Sequence, residues 1–299
     1  MSITNLKIIA AVTMVLDHCR YFFTDLPVVF SWLGRISAPI FLYCSLYSLE
    51  RTSNQQRYFK RLYLSGVGMS FIQCITGFEG NFFRTIFLMQ VLIELFYRNG
   101  QIQKKITHPI VFFLIWQLGG FLLCAICGMC NWIPFSITLF VLPALLGNVF
   151  CIEGGFFLIL GLLMYRFRYN KRETAICYIV FCICYSILSL TPLIPITIYF
   201  LDVKCGLSML GSGIEYLFEN LIGLPFYRIG APIWTENYQW MMIFALPFLM
   251  LYKEKTADRN KITSADSFIG WIKRYYFYIL YPAHIFIIYL VSRIAVLRG

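Results

Sequence analysis

Residues 5–21 read NLKIIAAVTMVLDHCRY, an apolar run long enough to enter a lipid bilayer that closes on the polar pair Asp17 and His18. An ionised side chain inside a membrane span is costly, so such residues usually face a cavity or a partner. Lys7 lies eleven positions before His18, which returns both to nearly the same helix face, roughly 16 Å apart along the axis. This layout suits a long ligand with an anionic head and its reactive end at the histidine. It equally suits a lysine that extends to the membrane surface and an Asp-His pair that only joins two helices.

The composition predicts that the whole chain is a membrane protein. Hydrophobic residues make up 60% of it and charged residues 13%, fewer charges than a soluble domain of this length carries. Repeated apolar runs of membrane-spanning length predict an all-α, polytopic integral membrane bundle. With no linker that separates two domains, residues 1–299 are expected to form a single transmembrane domain.

The net charge of +11 is distributed as a topology signal. Most Lys and Arg residues fall in short linkers between apolar spans, as expected of cytoplasmic loops, and no basic face interleaved with aromatic residues remains for nucleic acid. We therefore expect a lipid bilayer as partner and no nucleic acid. Cys124, Cys127 and Cys130 form a C-x-x-C-x-x-C run inside an apolar helix, but no histidine or carboxylate lies nearby, so no metal is expected.

The basic linkers fix a predicted topology of about nine to ten transmembrane helices in the cell membrane, with the N-terminus in the cytoplasm. Between residues 109 and 166 only an even number of crossings is consistent with the flanking linkers. We therefore interpret residues 133–149, which contain Pro134, Pro143 and Gly147, as a broken or re-entrant segment. Residues 202–237 are predicted to lie outside the cell, with the amphipathic patch GIEYLFENLIG along the interface. The spans are predicted at about residues 5–21, 28–49, 62–78, 81–97, 109–127, 154–165, 175–190, 238–252 and 270–296.

With this topology, polar residues from five different spans fall at similar depths. Unrelated structural ion pairs would have no reason to share one level, so the convergence predicts one polar cavity that opens toward the outer leaflet. The residues are Asp17, His18, Arg35, Asn81, Thr85, Glu153 and His284.

The two histidines of this set are the candidate general bases, because imidazole takes and returns a proton near neutral pH. The sequence does not distinguish His18 from His284. Asp17 cannot share a helix face with its neighbour His18, and we expect it to pair with Arg35 across the first two spans. The third histidine, His108, precedes Pro109 at a span boundary and is predicted to lie on the surface.

Seven segments, in order, resemble the motifs of the TraX family of membrane proteins, and the D-H and Y-P-x-H elements carry most weight. The segments are LKIIAAVTMVLDH, GRISAPIFLY, RYFKRL, NFFRTIFL, IEGGFFLILGLLMYRFR, QWMMIFALPFLMLYK and YYFYILYPAHIFIIYL. The resemblance implies a membrane acetyltransferase associated with acetylation of pilin N-termini and related to the wider transmembrane acyltransferases. In that wider group a basic residue eleven positions before a histidine marks the site that uses acyl-CoA.

The resemblance assigns roles to individual residues. Lys7 and His18 match the basic-x10-His element, Tyr281 and His284 match Y-P-x-H, and Asn81 matches N-F-F-x-T. This implies that Lys7 and Tyr281 bind acetyl-CoA as the donor substrate and that His18, His284 and Asn81 are catalytic. Asp17 and Arg35, which we place at the same depth, complete the expected catalytic set. Arg84 and Glu153 depart from the family pattern, which weakens the transfer of pilin as the substrate.

Two function classes follow. In the first, acetyl-CoA binds from the cytoplasm near Lys7, a histidine deprotonates an amine or hydroxyl acceptor from outside, and Asn81 or Arg35 stabilises the oxyanion. The acceptor is a pilin-like N-terminus or another cell-surface protein or glycan. The alternative is a membrane transporter of a small solute or a lipid-linked precursor, because transporters also keep charges at mid-depth. The lack of an internal repeat and the bias of the polar residues to one leaflet favour the enzyme.

Overall fold

Helices account for most of the chain, as the apolar runs predict. The computed structural model describes residues 1–298 except 53, 99–100, 104–106, 150–151, 225–226, 228–231, 233 and 254–267. The α-helices of the described residues are α1 (Ile3–Phe22), α2 (Val29–Gly34), α3 (Ser37–Arg51), α4 (Gln55–Thr76), α5 (Phe82–Phe96), α6 (Thr107–Cys130), α7 (Leu142–Leu146), α8 (Phe156–Phe167), α9 (Lys171–Leu190), α10 (Leu193–Tyr199), α11 (Ser208–Tyr216), α12 (Leu246–Met250) and α13 (Phe268–Arg298). Shorter elements are the π-helices Ile137–Val141, Phe200–Lys204 and Leu217–Ile222, the 3-10 helix Gln239–Ala245, and a hairpin of β1 (Tyr97–Arg98) and β2 (Gln101–Ile102).

Four helices of the described residues are both long and apolar enough to cross a membrane, which is fewer than the nine to ten predicted. They are Val29–Arg51 (α2 with α3), α6, α9 and Tyr275–Ala295 within α13. Helices α1 and α4 have the length, at 20 and 22 residues, but carry several charges. Helices α5 and α8 have only 15 and 12 residues, short of the roughly 20 that a bilayer requires.

The helix formed by α2 and α3 lies at the centre of the bundle. Its most apolar window is 61% buried, against 17–28% for the other three candidate spans. It opens between Gly34 and Ser37, because Pro39 has no N–H to donate to the carbonyl of Arg35. Arg35 therefore occupies the break.

The segment at residues 133–149 is broken, as predicted. Its helix, Ile137–Leu146, has ten residues and ends at Gly147, whose φ of 62° suits glycine. Gln117 of α6 binds the turn that follows: its Nε2 donates to the Gly147 carbonyl at 3.2 Å, and its Oε1 accepts from the Val149 N–H at 2.6 Å. The side chain of Gln117 thus provides hydrogen-bond partners for backbone groups that lipid could not hydrogen-bond.

Much of the segment 202–237, which is predicted to lie outside the cell, is helical. Helix α10 continues as a π-helix to Lys204, and α11 continues as a π-helix to Ile222, so residues 193–222 form a helical hairpin. The predicted amphipathic patch lies in its second arm. The hairpin exposes large apolar side chains, among them Leu193, Ile196, Phe200, Val203, Leu210 and Leu217. Residues 225–226, 228–231 and 233 of the segment lie outside the described residues.

Contacts between helix termini define two ends of the bundle. At the first, which we call the Lys7 end, the amino group of Met1 donates to the Leu251 carbonyl at 2.6 Å. At the same end Arg168 pairs with Glu50, and Lys171 donates to the Tyr252 carbonyl. These contacts join the N-terminus, the α3–α4 and α8–α9 connections and the end of α12.

The opposite end, which we call the His18 end, holds the C-terminal part of α1. There the side chain of Asn237 donates to the Ser189 carbonyl at 2.8 Å, and Trp32 donates to the Trp234 carbonyl at 2.7 Å. The start of α8 also lies here. The Glu153 N–H donates to the hydroxyl of Thr85 near the start of α5 at 2.9 Å.

Candidate active site

The two histidines that the sequence places at one depth are in direct contact. Nδ1 of His18, near the end of α1, lies 2.6 Å from Nε2 of His284 in α13, although 266 residues separate them along the chain. The rings are nearly parallel, with an interplanar angle of 11°. Each side chain is buried, and the edge of Phe78 packs against His18 with 4.8 Å between ring centroids. The pair therefore has a fixed geometry.

The second ring nitrogen of His284 is also engaged. Nδ1 lies 2.7 Å from the backbone carbonyl oxygen of Leu280, one turn earlier in α13. The side chain thus folds back toward the N-terminal end of its own helix, as helical side chains generally do. Both nitrogens of His284 therefore have protein partners.

Asp17 and Arg35 form the ion pair that the sequence predicts. One terminal nitrogen of Arg35 contacts Oδ2 of Asp17, and the other donates to Oε1 of Gln239 at 2.9 Å. The guanidinium also lies 5.5 Å from the centre of the Tyr238 ring. The pair links the end of α1 to the break between α2 and α3. Gly34 makes this approach possible, because a Cβ there would lie 2.3 Å from Cβ of Asp17.

A cavity of about 220 Å³ runs along α1 from the Lys7 end to the His18 end. Its lining includes Lys7 in the second turn of α1 and His18 near its last turn, so the face predicted for these two residues is the face that lines the cavity. Helices α3, α4, α5 and α13 supply most of the remaining wall. The polar side chains at the His18 end are Asp17, His18, Arg35, Glu153, Gln239 and Tyr281.

Aromatic rings surround the cavity at the Lys7 end. The Lys7 ammonium lies 5.6 Å from the centre of the Phe277 ring, in the third turn of α13. The Arg61 guanidinium lies 5.9 Å from the Tyr275 ring and 6.0 Å from the Tyr278 ring. This end therefore presents two cations, Lys7 and Arg61, held near aromatic rings.

Tyr281 lies beside both histidines and lines the cavity. Its ring centre is 6.0 Å from that of His18 and 5.8 Å from that of His284. Its hydroxyl accepts from the Phe82 N–H at 3.3 Å and keeps its own hydrogen for donation. The structure thus places Tyr281 beside the two histidines, away from the Lys7 end.

Asn81 does not line the cavity. Its Nδ2 donates to the Gly66 carbonyl at 2.9 Å, the Ser70 hydroxyl at 3.3 Å and Oε1 of Gln73 at 2.9 Å, all on α4. The side chain is fully buried between α4 and α5. Because its donors are engaged in helix packing, we do not retain the oxyanion role that the sequence suggested for it.

Two of the polar residues at the His18 end of the cavity, Glu153 and Gln239, had no role in the predicted site. Glu153 was noted for its depth but given no role, and its carboxylate lines the cavity with no hydrogen bond to the described residues. Gln239 begins the family-like segment QWMMIFALPFLMLYK, but nothing in the sequence indicates that it contacts Arg35, which lies 204 residues away. Arg84, by contrast, lines a small separate pocket between α4, α5 and α7. His108 is exposed at the start of α6, as predicted.

Comparison with known families matches residues 2–292 to the model described as TraX protein. The match covers nearly the whole chain and contains every residue of the candidate site. No curated protein and no solved structure matches the chain.

Proposed function

The chain belongs to the TraX family, and from this membership and the site geometry we propose that it is an integral membrane acetyltransferase. It moves an acetyl group from cytoplasmic acetyl-CoA to an amine or hydroxyl acceptor, such as a pilin-like N-terminus or another cell-surface protein or glycan. Its single domain crosses the cell membrane about nine times, and the N-terminus is cytoplasmic.

The observation that carries this proposal is the cavity, which connects Lys7 to His18 along one face of α1. Eleven residues of helix separate the two by roughly 16 Å, comparable to the length of a pantetheine arm. Lys7 stands at the end opposite the histidine, whereas the charge of Arg35 at the His18 end is paired with Asp17. Such an arrangement accommodates a chain with an anionic head, which fits an acyl-CoA donor. Lys7 and Arg61 hold the phosphates, and the thioester lies beside His18.

The residues at the His18 end supply the proton transfer. As the acceptor N–H or O–H bond breaks, its proton passes to the histidine pair and the freed nitrogen or oxygen bonds to the acetyl carbon. The carbon–sulfur bond breaks, and the departing sulfur takes up the proton, which restores the histidines and releases CoA as a thiol. The Tyr281 hydroxyl donates a hydrogen bond to the acetyl oxygen, a role assigned here in place of Asn81.

The basic connections at the Lys7 end support the proposed orientation of the bundle in the membrane. The N-terminus and the basic α3–α4 and α8–α9 connections meet at the Lys7 end. Cytoplasmic loops carry an excess of Lys and Arg, so the Lys7 end faces the cytoplasm, where acetyl-CoA is available. The His18 end then faces outward, toward the acceptor.

The test is transfer from labelled acetyl-CoA by the purified full-length protein in detergent. A synthetic peptide with a free N-terminus, the same peptide with a blocked N-terminus, and a cell-envelope extract serve as acceptors. We expect His18→Ala to lower turnover by roughly 10²–10⁴-fold with donor binding retained. Lys7→Ala should raise the KM for acetyl-CoA more than it lowers kcat, because the contact is uniform between ground and transition states.

His108→Gln is the matched control, since the third histidine is exposed and remote from the cavity, and it should leave turnover unchanged. Transfer by His18→Ala at the unmutated rate, or no labelled product with any acceptor, would contradict the proposed function.

A further inference from the structure

We infer that His284 is a positioning residue, which holds the proton of His18 on Nδ1 and leaves Nε2 of His18 as the base that serves the cavity. The proton placement follows from the hydrogen-bond geometry alone. The role of Nε2 as a base rests on the proposed function.

The argument starts at the carbonyl of Leu280. A carbonyl oxygen only accepts hydrogen bonds, so Nδ1 of His284, 2.7 Å away, carries a proton. A neutral imidazole has one ring proton, and therefore Nε2 of His284 presents a lone pair.

That lone pair faces Nδ1 of His18 at 2.6 Å. Two lone pairs do not form a hydrogen bond, so Nδ1 of His18 carries the proton and donates it to His284. The chain of donors runs from His18 to His284 to the Leu280 carbonyl. Of the four ring nitrogens in the neutral pair, Nε2 of His18 is the one that neither carries a proton nor accepts a hydrogen bond from the other ring. Any additional proton that the pair takes up from an acceptor therefore binds there.

The position of the cavity agrees with this direction. His18 lines the cavity, whereas His284 lies behind it. Within the described part of the chain no group forms a hydrogen bond with Nε2 of His18, so this nitrogen is available to a substrate. His284 reaches the substrate only through His18, as the third member of a Ser-His-Asp triad reaches its substrate through the histidine.

The protein has three histidines, which makes the proton positions directly measurable. The full-length protein is labelled with 15N-histidine, and the ring nitrogen shifts are recorded in detergent without substrate. His108→Gln removes the signal of the exposed histidine. We expect the two remaining histidines to carry their protons on Nδ1, with a scalar coupling across the hydrogen bond between Nδ1 of one ring and Nε2 of the other. A proton on Nε2 of His18 in the unmutated protein would overturn the inference.

Two variants separate positioning from folding. In His284→Gln the side-chain oxygen stands where Nε2 of His284 stood and accepts from His18, whereas His284→Leu offers no acceptor. We expect His18 to keep its Nδ1 proton in the Gln variant and to lose this preference in the Leu variant. An unchanged His18 tautomer in His284→Leu would overturn the inference.

Turnover should distinguish the same two variants. Turnover should fall by roughly 10²–10⁴-fold in His284→Leu and recover substantially in His284→Gln, with the KM for acetyl-CoA changed little in both. Equal losses in the two variants would contradict positioning. If the expected tautomers are observed but no acetyl transfer occurs, the proton placement stands and the proposed function fails, so the two failures are distinguishable.

Discussion

At the scale of single residues, the Asp17–Arg35 pair bears on both stability and the site. The side chain of Asp17 is 17% exposed and that of Arg35 is 26% exposed. Each charge loses most of its hydration on folding, and the attraction of the other charge compensates for that loss. Gln239 and the Tyr238 ring engage the guanidinium further. The pair holds the end of α1 that carries His18 against the break in the central helix. Its expected contribution is therefore to the position of His18.

Removal of either charged side chain should leave the other partly buried without its counter-charge. Asp17→Ala and Arg35→Ala should each lower the free energy of unfolding by up to about 3–5 kcal/mol, less to the extent that water reaches the pair. The double variant should recover part of the loss, measured as melting temperature in detergent. Asp25→Ala, which removes an exposed aspartate in the next turn, is the control and should change little. A double variant no more stable than the weaker single variant would show that the two charges do not stabilise each other.

The sequence predicts those contacts that helical periodicity or charge complementarity determines. The 3.6-residue repeat places Lys7 and His18 on one face, and opposite charges near the ends of consecutive spans indicate Asp17 with Arg35. The approach of His284 to His18 was predicted only as a shared depth, because nothing local specifies how a last helix packs against a first. For the same reason the sequence predicted the depth of Asn81 but not the direction of its side chain, which points into the α4–α5 interface and not into the cavity.

At the scale of elements, the close approach of α1 and α2 depends on one glycine. The sequence predicts one continuous span over residues 28–49, and the structure breaks it at Arg35 because of Pro39. Before the break, Gly34 leaves the space that the Asp17 side chain fills. Proline and glycine in a sequence indicate where a helix can break. Which side chain fills the space beside the glycine depends on how the helices pack, which the sequence does not show.

Gly34→Ala should therefore separate α1 from α2. The added Cβ would lie 2.3 Å from Cβ of Asp17, and overpacking of this kind typically costs about 1–3 kcal/mol. We expect a lower melting temperature and reduced transfer activity, because the ion pair and His18 shift together.

Gly68→Ala is the matched control within a helix. Apart from the adjacent backbone of α4, no atom lies within 4 Å of a Cβ at that position, so the substitution should leave activity unchanged and stabilise α4 by up to about 1 kcal/mol. Equal melting temperatures for the two variants would show that the tight α1–α2 contact is absent.

At the scale of the whole molecule, the two ends differ in charge and in partners. The basic α3–α4 and α8–α9 connections come together at the Lys7 end, although they are far apart along the chain. The Arg168–Glu50 pair joins them, and Lys171 donates to the carbonyl of Tyr252 at the end of α12. That these two connections share one end of the bundle was therefore accessible from the charge distribution, whereas the side of the membrane that this end faces stays a prediction. The pairing of residues 193–222 into a helical hairpin was not predicted, because the contact between two helical segments is a tertiary property. The linker at residues 253–261, also predicted to be cytoplasmic, lies almost entirely outside the described residues.

The orientation of the bundle can be tested with two exposed positions, one at each end. Asp25 follows α1 at the His18 end, and Arg172 lies in the first turn of α9 at the Lys7 end. With a membrane-impermeant thiol reagent, Asp25→Cys should add labelling over the unmutated protein in intact cells. Arg172→Cys should add labelling only after the membrane is opened. The unmutated protein provides the baseline for the native cysteines, and both substitutions replace exposed charged residues. Labelling of Arg172→Cys in intact cells would place the Lys7 end outside, away from cytoplasmic acetyl-CoA, and would invert the proposed direction of transfer.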